Sequence, residues 1–280
     1  MSGSRVRQSV NPRLYTFYIG MLGILVVAFI PFAGLVWPSQ AILPWIILEA
    51  AVFLVGLLAL FKAVEKFEVS RVVPVVGAFQ PIFVLLLTWL FWGFQPLSGM
   101  EFLAFALLIA GSIIISMEKK PQVTLVFLCL TILCSFLIAL DYTLSKVIFL
   151  ELPFLQGLIW MRVFTFAFAL LFLLSRKFRK EMFSGKTGLN KKNVFLLVFT
   201  QSSGAVAGIL QSLAISLVSV AYLPIINSLR GVQYVFLFIL TSAFSFFFPK
   251  VLKEEISKKV LLQKVAGIII IVVGLAILIY

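Results

Sequence analysis

Four ionisable side chains lie inside long apolar stretches of this 280-residue chain: Glu49, Asp141, Arg162 and Arg230. A charge inside a bilayer is expensive and by default faces a protein interior or a wet cavity, so each marks a candidate site. At ~1.5 Å rise per residue, Glu49, Arg162 and Arg230 fall within roughly 10 Å of the middle of their stretches. Asp141 lies nearer one end, with Lys146 shortly after it, and reads equally as an interfacial pair or helix-end residue. Arg230 has the sharpest surroundings. Asn227, Arg230, Gly231 and Tyr234 follow the i, i+3, i+4, i+7 spacing that puts side chains on one helix face. A guanidinium fork flanked by an amide and a phenol suits a carboxylate or a phosphate.

A second polar stripe, Gln201, Gly204, Gly208, Gln211 and Ser212, runs through the preceding apolar stretch. Glycines at that spacing also let a neighbouring backbone approach closely, so packing is an alternative reading. Glu49 is a candidate proton-coupling group if burial raises its pKa. The competing reading makes Glu49 and Arg162 or Arg230 a buried ion pair that only holds helices together.

The chain contains no histidine. Histidine bases, histidine metal ligation and histidine proton relays are therefore excluded. Cys129 and Cys134 lie in one apolar stretch at a spacing that suits neither a disulfide nor a metal site. No close carboxylate pair and no nucleophile motif is present. The expectation is no catalytic residue, no metal and no cofactor.

Elements that hold such residues must be membrane helices. Hydrophobic residues make up 62% of the chain, against roughly 45–50% in a soluble domain. Nine stretches have the length of a membrane span, ~20 residues for ~30 Å of hydrocarbon. They run about Tyr15–Trp37 (broken by Pro31), Ile42–Phe61, Val72–Trp92, Glu101–Met117, Val123–Ser145, Phe154–Leu174, Asn193–Ser216, Val220–Phe246 and Val260–Tyr280. The expected fold is an all-α polytopic membrane protein. The longest loop, Ser175–Lys192, is basic and reads as a solvated crossing. Of the 23 lysines and arginines, 20 fall in the N-terminal tail, in alternate loops on its side or, as Lys264, just inside the last stretch from that side. The other side holds only Lys146, and Arg162 and Arg230 lie within spans. The net charge of +13 thus follows the positive-inside rule rather than a nucleic-acid surface. It predicts a cytoplasmic N-terminus and cytoplasmic basic loops in the cell membrane, with Tyr280 outside.

The chain also echoes itself. Ala63, Pro74, an apolar run, Leu97-Ser98 and a last apolar run with Gly111 recur as Ala214, Pro224, an apolar run, Ile256-Ser257 and a last run with Gly274. This predicts two repeats, residues 1–121 and 122–280. Gln80 then stands at the equivalent of Arg230, and Glu49 maps to Thr200 or Gln201. Two pseudo-equivalent pairs, Glu49 with Gln80 and Gln201 with Arg230, are expected to line a cavity.

On these landmarks the two units resemble the repeats of the drug/metabolite transporter superfamily, EamA type. The family pattern is a helix ending in Ala, a Pro-containing helix, an acidic Glu-x-Leu-Ser turn and a closing helix with a late Gly. Ala63, Pro81 and Gly111 fit the first copy. Ala214, Glu254, Ile256-Ser257 and Gly274 fit the second, while Gln95 stands where the first copy would usually carry Glu. The resemblance covers about residues 15–280. It implies two inverted halves, and exchange or proton-coupled transport of metabolites such as amino acids, nucleobases, sugars or nucleotide sugars.

Two features depart from the family. Family members have ten helices, not nine, and both their termini are cytoplasmic. The fifth stretch has no partner, and its partner would precede the first. Ser4-Arg5-Val6 followed by Pro12 aligns with Ser145-Lys146-Val147 followed by Pro153. The tail is therefore expected to be the end of a helix that its relatives possess.

The resulting expectation is a secondary carrier of a small polar or anionic metabolite, working by alternating access within membrane lipids. Arg230, Asn227, Tyr234, Gln80, Gln201, Glu49 and Arg162 are its substrate-binding candidates, and a homodimer is one arrangement left open. A lipid-head-group flippase and a structural membrane subunit are the alternatives.

Overall fold

A hydroxyl inside an apolar helix must find its partner within the helix, because lipid offers none. Thr131, Ser135, Thr143 and Thr165 each donate back to the carbonyl four residues earlier, at 2.7–2.9 Å. That local satisfaction lets long helices carry polar residues through apolar surroundings. The computed structural model describes residues 11–67, 69–94, 97–116, 124–183, 191–233, 235–236, 240 and 258–279. Among them the protein is all-helical.

The principal helices are α1 (Pro12–Leu22), α2 (Ile30–Ala33), α3 (Leu43–Lys66), α4 (Val69–Trp92), α5 (Gly99–Ser116), α6 (Leu125–Glu151) and α7 (Phe154–Leu170). They are followed by α8 (Arg176–Phe183), α9 (Lys191–Leu217), α10 (Leu223–Ser228) and α11 (Lys258–Ile279). Among the described residues, five segments are long and apolar enough to cross a membrane: Pro12–Ala33, Leu43–Lys66, Val75–Trp92, Leu125–Glu151 and Phe154–Leu174. Two shorter apolar helices run Gly99–Ile115 and Leu262–Leu278.

The first segment is irregular for a local reason. Pro31 has no N–H to give to the carbonyl of Val27, and the turns before it tighten into a 3₁₀ stretch, Gly23–Phe29. The Ser175–Lys192 loop differs from a plain solvated crossing, since α8 lies within it and Phe178 of α8 is buried. An apolar residue at every fourth position, Phe178 and Met182, was enough to fold that basic stretch against the protein.

The chain divides into two compact units, and each draws residues from both 1–121 and 122–280. The first unit comprises residues 1–66 and 144–217, the second residues 67–143 and 218–280. The division falls within α6, between Thr143 and Leu144.

In the first unit, α7 packs against α1 and α3. Phe17, Leu54, Ala169 and Phe178 form the buried cluster between them. The turn after α2 is closed by Gly34 in the left-handed region (φ 53°). Gln156 donates to the carbonyls of Ala33 and Gly34 at 3.3 and 3.0 Å, and Trp160 donates to that of Val36 at 2.9 Å. Pro12 opens α1 and Pro153 immediately precedes α7. Residues 1–10, which carry the rest of the tail alignment, lie outside the described residues.

Lys146 is buried, and its ammonium donates to the carbonyls of Ile215 and Ser216 at 3.1 Å each. A cation at the C-terminal carbonyls of a helix complements both the orphan acceptors and the dipole of α9. Lys146→Met is expected to cost about 2–3 kcal/mol, the range for a charged buried hydrogen bond with its partner carbonyls stranded. Thermal unfolding of the purified protein checks this. An unchanged midpoint would show that α9 ends stably without the cap.

In the second unit, α5 and α11 are antiparallel and cross at their glycines. A Cβ on Gly111 would lie 2.6 Å from Ile271 Cγ1 and 2.8 Å from the Gly267 carbonyl oxygen. A Cβ on Gly267 would lie 2.6 Å from Ile115 Cγ1 and 3.0 Å from the Gly111 oxygen. Each helix thus offers a Gly at i and an Ile at i+4, and each Ile fills the notch of the other Gly. The α5 start is fixed by a capping box: Ser98 N–H donates to Glu101 Oε2 at 2.7 Å, and Glu101 N–H donates to Ser98 Oγ at 3.2 Å. Helix α11 begins at Lys258, one residue after Ile256-Ser257, the echo of Leu97-Ser98. Residues Gln95, Pro96 and Glu254–Ser257 themselves lie outside the described residues.

Candidate functional site

Helix α4 carries two prolines, Pro74 and Pro81, without ending. Pro81 cannot supply the N–H that the Gly77 carbonyl would otherwise receive. One turn of backbone is thereby loosened beside Gln80, which is fully buried. Opposite it stands α10, which is only six residues long. Pro224 is in its first turn, and at Leu229 the helix tightens locally, with Val232 N–H donating to the Leu229 carbonyl at 2.9 Å, while the backbone stays right-handed and residues 230–233 continue helical.

This stretch is where the polar groups gather. Gln80 Nε2 donates to Asn227 Oδ1 at 3.1 Å, and neither residue is exposed. Asn227 Nδ2 donates in turn to the Leu223 carbonyl at 2.8 Å. These two bonds fix both amides. Among the described residues, Gln80 Oε1 is enclosed and takes no hydrogen bond. A buried acceptor without a donor costs ~1–3 kcal/mol.

Arg230 follows one turn later and is half-buried. Its Nη2 donates to the Tyr142 hydroxyl of α6, and the guanidinium carbon lies 5.5 Å from the Tyr142 ring centroid. Gly231 seats this segment against α5, where a Cβ would collide with Ser112 Oγ and lie 3.4 Å from the Leu108 carbonyl oxygen. The second unit thus holds a guanidinium and an amide on the α10 segment, a phenol from α6, and an amide with a spare acceptor from α4.

Of the two expected pairs, Gln80 and Arg230 belong to the second unit, together with Asn227, whereas their expected partners Glu49 and Gln201 belong to the first. Tyr234 lies outside the described residues. Asn227 and Arg230 lie on either side of Leu229, whose backbone stays right-handed helical (φ −60°, ψ −10°), and each has its own partner. Glu49, Arg162 and Gln201 belong to the first unit. Glu49 is fully buried in the second turn of α3. The Arg162 guanidinium carbon stands 4.3 Å from the Phe53 ring centroid, and its methylenes run beside Gly23. A guanidinium over an aromatic face is stabilised by the ring quadrupole. Gln201 is half-buried, while Gly204 and Gly208 face open space within the described structure. Asp141 is buried next to Tyr142.

Tyr142 is the residue that sequence reasoning missed. The available signal was a phenol inside an apolar stretch beside the already conspicuous Asp141. Cys129 is exposed and Cys134 buried, and both are free thiols.

Asn227→Leu is expected to strand the Nε2 end of the Gln80 amide, whose Oε1 already takes no hydrogen bond among the described residues, and to lower stability by about 1–3 kcal/mol. The double variant Gln80→Leu/Asn227→Leu is expected to recover part of that loss, because it removes both polar groups together. Thermal unfolding of the two single variants and the double gives the coupling. Strict additivity would mean that the pair contributes no interaction.

No family model and no curated protein matches the chain. A solved structure, a crystal structure of a protein, matches 97% of this chain and 88% of its own chain with TM-score 0.68 at 14% identity. At that identity the likeness speaks for the fold alone. The class defined by the helices is an all-helical protein with several segments of membrane-spanning length and apolarity.

Proposed function

We propose that the protein is a secondary carrier that moves a small polar or anionic metabolite across the cell membrane by alternating access, and that it belongs with the EamA-type carriers it resembles. The observation that carries this reading is the enclosed Gln80–Asn227 pair between the proline-containing helices α4 and α10. Backbone carbonyls freed by proline within a membrane protein are common at transporter binding sites. Arg230, braced by Tyr142, supplies the fork for a carboxylate or phosphate, and Gln80 Oε1 awaits a donor. Glu49, buried in α3, is the proposed coupling group.

A thermal-shift screen of the solubilised protein against soluble carboxylates and phosphate esters tests the reading. A ligand-dependent rise in midpoint that is lost in Arg230→Gln supports it. Ligands that stabilise wild type and Arg230→Gln alike would move the site elsewhere.

The proposed orientation, with basic loops cytoplasmic, has its own check. In a background lacking Cys129 and Cys134, single cysteines placed at 184–190 are expected to resist a membrane-impermeant thiol reagent in intact cells. Rapid labelling there would invert the topology.

A further inference from the structure

Helix α8 follows a membrane-length segment almost without a linker. The segment ends at Leu174 and α8 begins at Arg176. Ser175 between them starts the helix, its hydroxyl accepting from the Phe178 N–H at 3.4 Å and its carbonyl from the Arg179 N–H at 3.0 Å. A helix that starts so close to a span's end lies at the level of the lipid head groups, and eight residues extend only about 12 Å.

Phe178 holds it there. Its ring packs edge-on against Phe17 at 5.3 Å and lies 5.7 Å from Phe172, in a cluster with Leu54 and Ala169. With Phe178 turned to the protein, a helical turn of about 100° per residue places Arg176 and Lys180 on the opposite side and Lys177 and Arg179 on the flanks. All four cations are exposed. Glu181 is the one acidic residue in the helix sequence. Arg13, on the first turn of α1, is a further exposed cation beside Leu14 of the same cluster.

We propose that α8 is a binding site for anionic phospholipid head groups, with Arg176, Lys177, Arg179 and Lys180 gripping lipid phosphates in the leaflet on its side. A cluster of cations fixed at the end of a span meets the membrane surface before any soluble partner. Each such cation adds ~1 kcal/mol toward an acidic leaflet, and arginines add directed hydrogen bonds to phosphate. The buried Phe178 distinguishes this helix from a loose basic loop, because it keeps four charges in register with the surface. The site is independent of the carrier reading.

The test uses the full chain in nanodiscs of phosphatidylcholine containing phosphatidylglycerol, with retained lipids counted by native mass spectrometry after release. Wild type is expected to retain phosphatidylglycerol in preference to phosphatidylcholine. Arg176→Gln/Lys180→Gln is expected to lower that preference about 25-fold, at ~1 kcal/mol per cation. Added salt is expected to erode it in wild type. Lys62→Gln/Lys66→Gln, a charge-matched change on exposed residues of α3, is expected to leave it intact. An equal loss in both double variants would reduce the effect to bulk charge and overturn the site. So would an unchanged preference after Arg176, Lys177, Arg179 and Lys180 are all replaced by Gln. Binding of a soluble oligonucleotide to wild type in neutral discs, without any phosphatidylglycerol preference, would also overturn it and assign the patch to a soluble polyanion.

Discussion

Arg230→Lys is expected to weaken ligand binding by about tenfold and Arg230→Gln by about a hundredfold, the span of ~1.5–3 kcal/mol for hydrogen bonds to a charged group. Lysine keeps the charge but replaces a planar five-donor fork with a single ammonium, so it loses the paired geometry that matches a carboxylate or phosphate. Glutamine loses the charge as well. Neither change should unfold the protein, since Arg230 is half-buried and its hydrogen bond is to one hydroxyl, that of Tyr142. Tyr142→Phe is expected to fall between wild type and Arg230→Lys, because the fork remains but loses its brace. Titration of each variant with a ligand that stabilises wild type, alongside its unliganded melting temperature, separates the two effects. Normal affinity in both Arg230 variants would remove Arg230 from the site. A collapse in unliganded stability would make it a structural residue.

The second large effect is expected at the α5–α11 crossing. Gly111→Leu or Gly267→Leu should prevent the two helices from closing. Even the first added carbon of such a side chain meets backbone at 2.8–3.0 Å, and backbone cannot rotate out of the way as a side chain can. Overpacking of a tight core costs ~1–3 kcal/mol for an added methylene or two, and a leucine here adds more volume than that. The contact has few substitutes, since association within lipid depends on close van der Waals packing rather than on a hydrophobic driving force. The yield of monodisperse protein by fluorescence-detected size exclusion is expected to fall sharply in both variants. Trimming the opposing side chain with Ile271→Ala should fully rescue neither Gly111→Ala nor Gly111→Leu, because the Gly267 carbonyl oxygen stays 2.8 Å from the added Cβ in both. Wild-type yield and melting temperature in Gly111→Leu would show that the two helices do not need this approach.

These two sites illustrate how differently parts of the molecule could be read before folding. Gly111 was visible as a landmark near the end of a repeat, but its role as the notch for Ile271 of a distant helix was not. A glycine in an apolar run looks the same whether it faces lipid or another backbone. Gly204 and Gly208 make the contrast concrete: they have the spacing of a packing motif, and among the described residues nothing packs against them. Lys146 was conspicuous as an isolated cation, yet nothing local in the chain says that α9 ends within reach of its ammonium.

The order and character of the helices were determined by the amino-acid sequence itself. Long apolar runs, the first-turn prolines Pro31 and Pro224, and the Ser98–Glu101 cap are local features whose physics acts within a few residues. So were the candidate polar groups, because a buried amide or guanidinium stands out against a background that is 62% hydrophobic. Partnership was decided by tertiary structure alone. Gln80 meets Asn227 across 147 positions and Arg230 meets Tyr142 across 88. Phe178 turns an otherwise basic loop into a helix pinned to α1 and α7. Helical periodicity says which residues share a face over a turn or two. Only packing of whole helices says which face meets which, because that depends on the summed shape of many side chains along both.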